Sequence, residues 1–144
     1  MLSAIRLGAC ENAGVKSHQP RWKSAPENHD FPAAAQYLSL FADESRVNAL
    51  IEALRQAPTE LRKAKDTLRA ARLPLLPVDN PHVASDLAKI KAGRELAPIL
   101  LVRGDLLTGR ALQIADGYHR VCASYHTDEN TDIPCRTVAA DPPR

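Results

Sequence analysis

Aromatic residues are scarce in this sequence of 144 residues, which has one Trp, three Tyr and two Phe. So few aromatic side chains argue against a platform on which the bases of single-stranded nucleic acid would stack. Charge of one sign is also lacking, because 19 Lys and Arg face 17 Asp and Glu, for a formal net charge of +2. This balance gives no argument for nucleic acid or an anionic membrane as a partner, so any such function must depend on local charge.

Cysteine is the next residue type in short supply. Cys10, Cys122 and Cys135 are odd in number and widely spaced. They form none of the CxxC pairs typical of a zinc site, and they do not suggest a disulfide framework. We therefore expect no metal held by the protein alone, and we expect Cys122 and Cys135 to be small core residues rather than nucleophiles.

The amino-terminal region lacks a long hydrophobic run. Arg6, Glu11 and Lys16 interrupt its apolar start before a signal sequence or a membrane span is formed. Residues 1–30 also show neither helical nor strand periodicity, so we expect a flexible arm there. Together with the cysteine pattern, this predicts a cytoplasmic protein with no membrane segment.

Residues 31–72 have helical periodicity and predict a helical subdomain. Its first helix begins at Phe31, and a second is predicted over 44–56 with Asp43 as its N-cap. A third helix is predicted over 59–72. Its apolar stripe would consist of Leu61, Ala64, Leu68 and Ala71, and the basic residues beside that stripe are Arg62, Lys65, Arg69 and Arg72. These four cations are either a solvated flank of the helix or a surface that faces phosphates.

Residues 73–139 predict a small α+β domain with a mixed sheet, followed by a short tail over 140–144. Prolines interrupt the apolar run at 73–78, which suits an edge strand or an extended lead-in. The remaining predicted elements are a helix over 81–92 with Asn80 as N-cap and Gly93 as the C′ residue, a hairpin made of Pro98–Arg103 and Ala111–Ala115, a helix of about ten residues from Tyr118, and a strand over Ile133–Val138.

The turn between the hairpin and the next helix contains the candidate binding residues. Asp116 and Gly117 end a strand, and Tyr118 opens a helix. Unpaired N–H groups and the positive end of the dipole at such a helix start favour an anion, and glycine lets the backbone approach it closely. His119 and Arg120 would add side-chain donors suited to phosphate oxygens. The alternative is structural, with Asp116 capping the helix and Arg120 paired with a surface carboxylate.

Over residues 73–139, the order and spacing of four segments resemble the superfamily that joins sulfiredoxin to the ParB-type partition and nuclease domains. The segments are Leu-Pro-Leu-Leu-Pro-Val-Asp-Asn-Pro, Pro-Ile-Leu-Leu-Val-Arg, Leu-Gln-Ile-Ala-Asp-Gly-Tyr-His-Arg and Asp-Ile-Pro-Cys-Arg-Thr-Val. In sulfiredoxin the matching turn holds ATP phosphates, in partition proteins it belongs to a CTP site, and free-serine kinases have a similar Asp-Gly-x-His-Arg form. The resemblance implies that Gly117, Tyr118, His119 and Arg120 bind ATP or CTP, with Mg²⁺ as the companion of the triphosphate.

The departures from the family pattern limit this interpretation. Tyr118 stands where sulfiredoxin has its catalytic cysteine, so we expect no sulfinic-acid repair. We also expect that this chain is not a complete partition protein, because no helix-turn-helix follows the domain. Residues 31–72 match none of these families.

The resemblance also directs attention to the start of the 81–92 helix, where family members place residues that face the nucleotide. Asn80 and His82 are therefore candidate nucleotide contacts, although Asn80 also suits an N-cap. For phosphoryl transfer a carboxylate must orient or deprotonate the acceptor, and Asp79 and Asp116 are the candidates.

Two function classes follow from these observations. One is an NTP-dependent kinase or NTPase. The other is a non-catalytic module that senses a nucleotide or contacts DNA weakly through Arg62, Lys65, Arg69 and Arg72. The sequence does not predict the oligomeric state.

Overall fold

The computed structural model describes residues 19–141, which form an α+β fold of five helices and two small sheets. The strands are β1 (Arg21–Trp22), β2 (Thr59–Lys63), β3 (Glu95–Leu96), β4 (Ile99–Val102), β5 (Gln113–Asp116) and β6 (Asp132–Val138). The helices are α1 (Asp30–Leu38), α2 (Glu44–Gln56), α3 (Ala64–Ala71), α4 (Pro81–Lys91) and α5 (Tyr118–Thr127).

The main sheet has the strand order β2-β6-β4-β5 and is mixed. Strand β4 pairs in parallel with β6 and antiparallel with β5, while β2 pairs antiparallel with β6. The Ile-Leu-Leu-Val run of β4 is buried along its whole length, as expected for a central strand with helices on both faces. The second sheet is a short parallel pair of β1 and β3.

Helices cover both faces of the main sheet, and each face has its own buried cluster. Alternation along β4 sends Ile99 and Leu101 to one cluster and Leu100 and Val102 to the other. The first cluster contains Ala64, Leu68, Ala71, Val83, Ile90, Leu96, Ile99, Leu101, Ile114, Val121, Cys122, Ala123, Ile133 and Cys135. The second contains Phe31, Ala34, Leu38, Val47, Leu50, Leu54, Leu100, Val102, Ala115 and Val138.

Two helices that were predicted from local signals are confirmed with their caps. Helix α2 spans Glu44–Gln56, and the Asp43 carboxylate accepts a hydrogen bond from the Arg46 amide at 2.9 Å. Helix α4 begins at Pro81 after the Asn80 cap, and Gly93 has a φ of +75° just beyond its end. These boundaries follow from contacts within a few residues, which is why the sequence alone predicts them.

The helix predicted over 59–72 is wrong in its first five residues. Residues 59–63 form β2, which pairs with β6 from Thr59 opposite Arg136 to Lys63 opposite Asp132. Leu61, placed in the apolar stripe by the sequence, is 60% exposed. The backbone hydrogen bonds that β6 offers outweigh the weak local preference for helix, and the charged sequence of β2 suits an edge strand. The remainder, α3, buries Ala64, Leu68 and Ala71 as predicted.

The predicted helical subdomain over 31–72 and the flexible arm over 1–30 also differ from the structure. Helices α1 and α2 lie on the second face of the sheet and share its core, and β2 is a strand of that sheet. Within the arm, residues 1–18 lie outside the described part, whereas β1 pairs with β3 and Trp22 packs against the first cluster.

The remaining predicted elements of residues 73–139 are present with small shifts. The hairpin strands are β4 and β5, and the last strand begins at Asp132 rather than Ile133. The run 73–78 is an extended lead-in without strand pairing. Of the tail, Ala140 packs against the second cluster and Asp141 pairs with Arg46. Among residues 19–141, no helix has the length and apolar character needed to cross a membrane.

We predict that replacing Leu54 by Ala destabilises the protein by about 2–5 kcal/mol, because Leu54 is fully buried in the second cluster. Trp22, the only tryptophan, reports on the first cluster on the other face of the sheet. Urea unfolding followed by Trp22 fluorescence and by far-UV circular dichroism should give the same lowered midpoint, since both clusters share one sheet. Separate transitions for the two probes would contradict a common core.

Candidate functional site

The candidate site begins at Gly117, the N-cap residue of α5. Gly117 has a φ of +116°, a backbone conformation that residues with a side chain rarely adopt. A Cβ atom added there would lie 2.8 Å from the Cβ of Ile99 in the central strand. Both the turn and the close packing on β4 therefore require glycine at this position.

The amino end of α5 carries no side-chain cap. The Val121 amide donates to the Gly117 carbonyl at 3.0 Å, which is the first hydrogen bond of the helix. Within residues 19–141, the amides of Tyr118, His119 and Arg120 have no hydrogen-bond acceptor. Three N–H groups at the positive end of the helix dipole thus remain available to an anion.

Helix α4 presents its amino end beside that of α5. The Asn80 side-chain oxygen accepts hydrogen bonds from the amides of His82 at 3.0 Å and Val83 at 3.2 Å, so this end is capped. The rings of His82 and His119 lie 4.6 Å apart, centroid to centroid, with 41° between their planes. The structure therefore brings His82, near the start of α4, next to His119, near the start of α5.

Burial lowers the pKa of His119 below its ordinary value of 6.5, and the neighbouring His82 lowers it further. Asp86 opposes this effect. In the free protein the His119 imidazole is thus biased toward its neutral form near pH 7. A bound anion would favour the protonated form, so His119 can respond to ligand charge.

Asp86 is a site residue that the sequence analysis missed. It lies one helical turn after His82 on α4, with its side chain 14% exposed, and Lys89 approaches it at 3.8 Å. Burial raises the pKa of Asp86, whereas Lys89, Arg120, His119 and His82 all oppose the rise. The i, i+4 spacing from His82 is a signal in the sequence that could have identified it.

Arg120 is held by the protein itself. Its guanidinium donates to the Asp116 carboxylate at 2.6 Å and to the Ala97 carbonyl at 2.7 Å. The Arg120 and Asp116 side chains are only 14% and 18% exposed. Arg120 thus has a carboxylate partner, but that partner is the largely buried Asp116 rather than a surface residue, and Asp116 does not cap α5. Arg120 ties α5 to β5 and to the residues that precede β4.

A second buried carboxylate lies beside this ion pair. Asp30, at the start of α1, is 5% exposed, and its carboxylate accepts a hydrogen bond from the Glu27 amide at 2.8 Å. Burial raises the pKa of Asp116, Arg120 opposes this, and Asp30 raises it further. Sequence analysis did not identify Asp30, because no local pattern shows that α1 reaches the end of β5.

The segment 73–80 is fixed along α5 by two contacts. The Tyr118 hydroxyl donates to the Pro74 carbonyl at 2.6 Å, and the His126 Nε2 lies 2.7 Å from the Leu76 carbonyl oxygen. The Tyr118 side chain therefore has a positioning role, while its amide belongs to the uncapped helix end. Asp79 is exposed, and no described hydrogen bond or ion pair joins it to the α5 turn.

The two cysteines of the described region are core residues, as predicted. Cys122 and Cys135 are fully buried in the first cluster. Burial raises the pKa of both thiols, that of Cys135 to about 12. Neither is suited to act as a thiolate nucleophile near neutral pH. Cys10 lies outside the described residues.

The basic stripe predicted on one helical face is divided in the structure. Arg62 lies on β2 and pairs with Glu60 at 3.0 Å, so it does not share a helical face with the others. This is a correction that follows from the strand at 59–63. Arg69 pairs with Asp66 at 3.1 Å, and Lys65 and Arg72 lie near it beside α5.

No three His, Cys, Asp or Glu side chains between residues 19 and 141 converge on a metal-binding position.

Comparison of the chain with protein-family models, curated proteins and solved structures gave no match. The likeness to the ParB and sulfiredoxin superfamily therefore depends on the order and spacing of the motifs.

We predict that Arg120→Met destabilises the protein by about 3 kcal/mol at pH 7, because it leaves the Asp116 carboxylate largely buried and unpaired beside Asp30. The double variant Arg120→Met/Asp116→Asn should recover part of this loss, since it removes the unpaired charge. Urea unfolding of both variants and the wild type measures the difference. A double variant no more stable than the single one would show that the ion pair does not fix the turn.

We also predict that His119 contributes stability that is lost in acid. Its folded-state pKa is below the ordinary 6.5, so this stability is present above pH 6.5 and decreases as the pH falls through the lowered value. The free energy of unfolding should therefore fall less between pH 7.5 and 5 in His119→Asn than in the wild type. An NMR titration of the His119 ring with a midpoint above pH 6.5 would contradict the lowered pKa and the predicted loss of stability in acid.

Proposed function

We propose that this protein binds the phosphate groups of a nucleotide, ATP or CTP, at the amino end of α5. The observation that carries the proposal is the uncapped helix end, where three amides lack acceptors in the described structure and two imidazoles lie alongside. Gly117 supplies the left-handed turn that starts the helix here, packed against Ile99 of the central strand. These features match the anion-binding chemistry of helix starts.

The residues of the turn take distinct roles in this proposal. The amides of Tyr118, His119 and Arg120 donate to phosphate oxygens, and the His82 and His119 rings add donors when protonated. The Asn80 oxygen is engaged as a cap, which leaves its amide nitrogen to donate. Arg120 positions the turn through its ion pair with Asp116. It adds positive charge near the bound phosphate, but its guanidinium does not donate a bidentate pair of hydrogen bonds to it.

The resemblance supports the choice of a nucleotide over other anions. The Asp-Gly-x-His-Arg form at 116–120 is the one shared with the small-metabolite kinases of that superfamily. Mg²⁺ would be bound chiefly by the triphosphate itself, as is usual for this cation. Asp86 is a partly buried carboxylate whose pKa is affected by both histidines.

Two functional classes remain as proposals, an NTP-dependent kinase or NTPase and a nucleotide-sensing module without turnover. The pairing of Asp116 with Arg120 favours the second, because this carboxylate is not free to accept a proton from a substrate. Asp79 is exposed and unconstrained, which also gives poor positioning for a general base. Release of phosphate from ATP or CTP, measured with and without added DNA, separates the two classes.

We predict that ATP or CTP with Mg²⁺ raises the melting temperature, since a ligand at 100 times its Kd stabilises the native state by about 2.7 kcal/mol. In His119→Ala the affinity should fall about tenfold or more, the loss of a hydrogen bond to a charged group. His126→Gln is the matched control, because it removes a histidine at the other end of α5 while its side-chain amide can still donate to the Leu76 carbonyl.

The thermal-shift panel should contain ATP, ADP, CTP and GTP, each with Mg²⁺ and each compared with the ligand-free form of the same variant. Subtraction of the ligand-free value removes any change in stability that the substitution itself causes. A panel with no shift in the wild type would overturn the proposed function. Equal losses of affinity in His119→Ala and His126→Gln would mean that the nucleotide binds elsewhere.

A further inference from the structure

A second concave site lies between α3, the chain that follows it and α5. It encloses about 360 Å³. It is separate from the amino end of α5, because its α5 residue, Tyr125, lies seven positions after Tyr118, which is about 10 Å along the helix. We call it the α3 groove, and its lining residues are Lys65, Leu68, Arg69, Arg72, Leu73, Leu75 and Tyr125.

One wall of the α3 groove is basic. Lys65, Arg69 and Arg72 recur at i, i+4 and i+7, so they lie along one side of α3 and its final turn. Arg69 pairs with Asp66, and that pair is exposed. Between residues 19 and 141 neither Lys65 nor Arg72 has an ion-pair partner, so two positive charges on this wall are uncompensated by the protein.

The opposite wall is aliphatic and accessible. Leu73 and Leu75 are 38% and 39% exposed, and both belong to the extended segment after α3. Leu68, which is nearly buried, and the half-buried Tyr125 complete the lining. An apolar side chain of a bound partner would therefore contact these residues on several sides, and it would lie next to the cations at the groove edge.

Arg72 adds an independent indication that the charge at this wall matters. It follows α3 in the left-handed conformation with a φ of +56°, the only positive φ at a non-glycine residue between positions 19 and 141. Glycine is the usual residue at such a helix end, because a side chain there costs conformational free energy. The sequence has an arginine instead, and its side chain lines the groove.

We propose that the α3 groove binds an acidic peptide segment of a partner protein, with one aliphatic or aromatic side chain between the walls and flanking Asp or Glu residues beside Lys65 and Arg72. Charge complementarity selects the acidic residues, and the leucine wall selects the apolar anchor. The groove has a single aromatic side chain and an aliphatic wall, which suits a peptide better than a stacked nucleic-acid base.

The test is a selection of random 12-residue peptides displayed on phage against the full-length wild-type protein. Counter-selection against the double variant Lys65→Glu/Arg72→Gly removes peptides that bind elsewhere. Enriched sequences should contain Asp or Glu on both sides of one Leu, Ile or Phe. Synthesised with a fluorophore, such a peptide should bind the wild type at least tenfold more tightly than the double variant.

Controls separate recognition from loss of folding and from general charge attraction. Arg72→Gly should not lower the melting temperature, because glycine relieves the left-handed conformation, yet it should weaken the peptide. Arg94→Glu makes the same change of charge as Lys65→Glu at an exposed position between α4 and β3, and it should leave binding unchanged. Amide chemical shifts should change at Leu73, Leu75 and Tyr125 on addition of the peptide.

Three outcomes would overturn the proposal. The first is that no peptide is enriched over the counter-selection. The second is that enriched peptides lack acidic residues, or bind equally well after the apolar anchor is replaced by Ser. The third is that single-stranded oligo(dT) displaces the peptide at lower concentration than unlabelled peptide does, which would assign the groove to nucleic acid.

Discussion

The position of the candidate site depends on one guanidinium group. Arg120 joins the end of β5 through Asp116 and the residues before β4 through the Ala97 carbonyl, all within a largely buried region. An arginine that is paired and hydrogen-bonded in this way is costly to move, because any displacement leaves Asp116 without its partner. The Gly117 turn and the first turn of α5 are therefore held in one orientation before any ligand arrives.

This arrangement creates a positive region without a large net charge. The amino ends of α4 and α5 lie side by side, and only α4 is capped by a side chain, that of Asn80. Burial and the neighbouring His82 lower the pKa of His119, although Asp86 opposes this effect. An anion bound as proposed would be held by backbone amides and helix dipoles, which composition does not reveal.

Local signals predicted those parts of the fold that local contacts determine. Helix α4, with its Asn80 cap and Gly93 at its end, is an example, as is the turn at Gly117. The strand β2 could not be predicted in this way, because its partner β6 is about 70 residues later in the chain and helical periodicity fits the same residues.

Contacts between residues that are distant in sequence were also missing from the predicted site. Gly117 and His119 were proposed from neighbouring positions in one turn and His82 from the resemblance, but the contact of Arg120 with Ala97 was not predicted, since Ala97 comes from a different element. Asp30 reaches Asp116 only because α1 packs against the sheet. Residues that hold a site in place are generally distant in sequence from those that form it, so a motif identifies the second group more readily than the first.

The two proposed binding sites of the molecule are distinct but share one structural segment. The chain after α3 forms the leucine wall of the α3 groove at Leu73 and Leu75, and between them the Pro74 carbonyl accepts the hydrogen bond from Tyr118 at the start of α5. A ligand in either place therefore contacts, directly or through Tyr118, the same extended segment. Displacement of that segment by a groove ligand would break the Tyr118 contact and alter the helix end where the phosphate is proposed to bind, which gives the two sites a physical route for coupling.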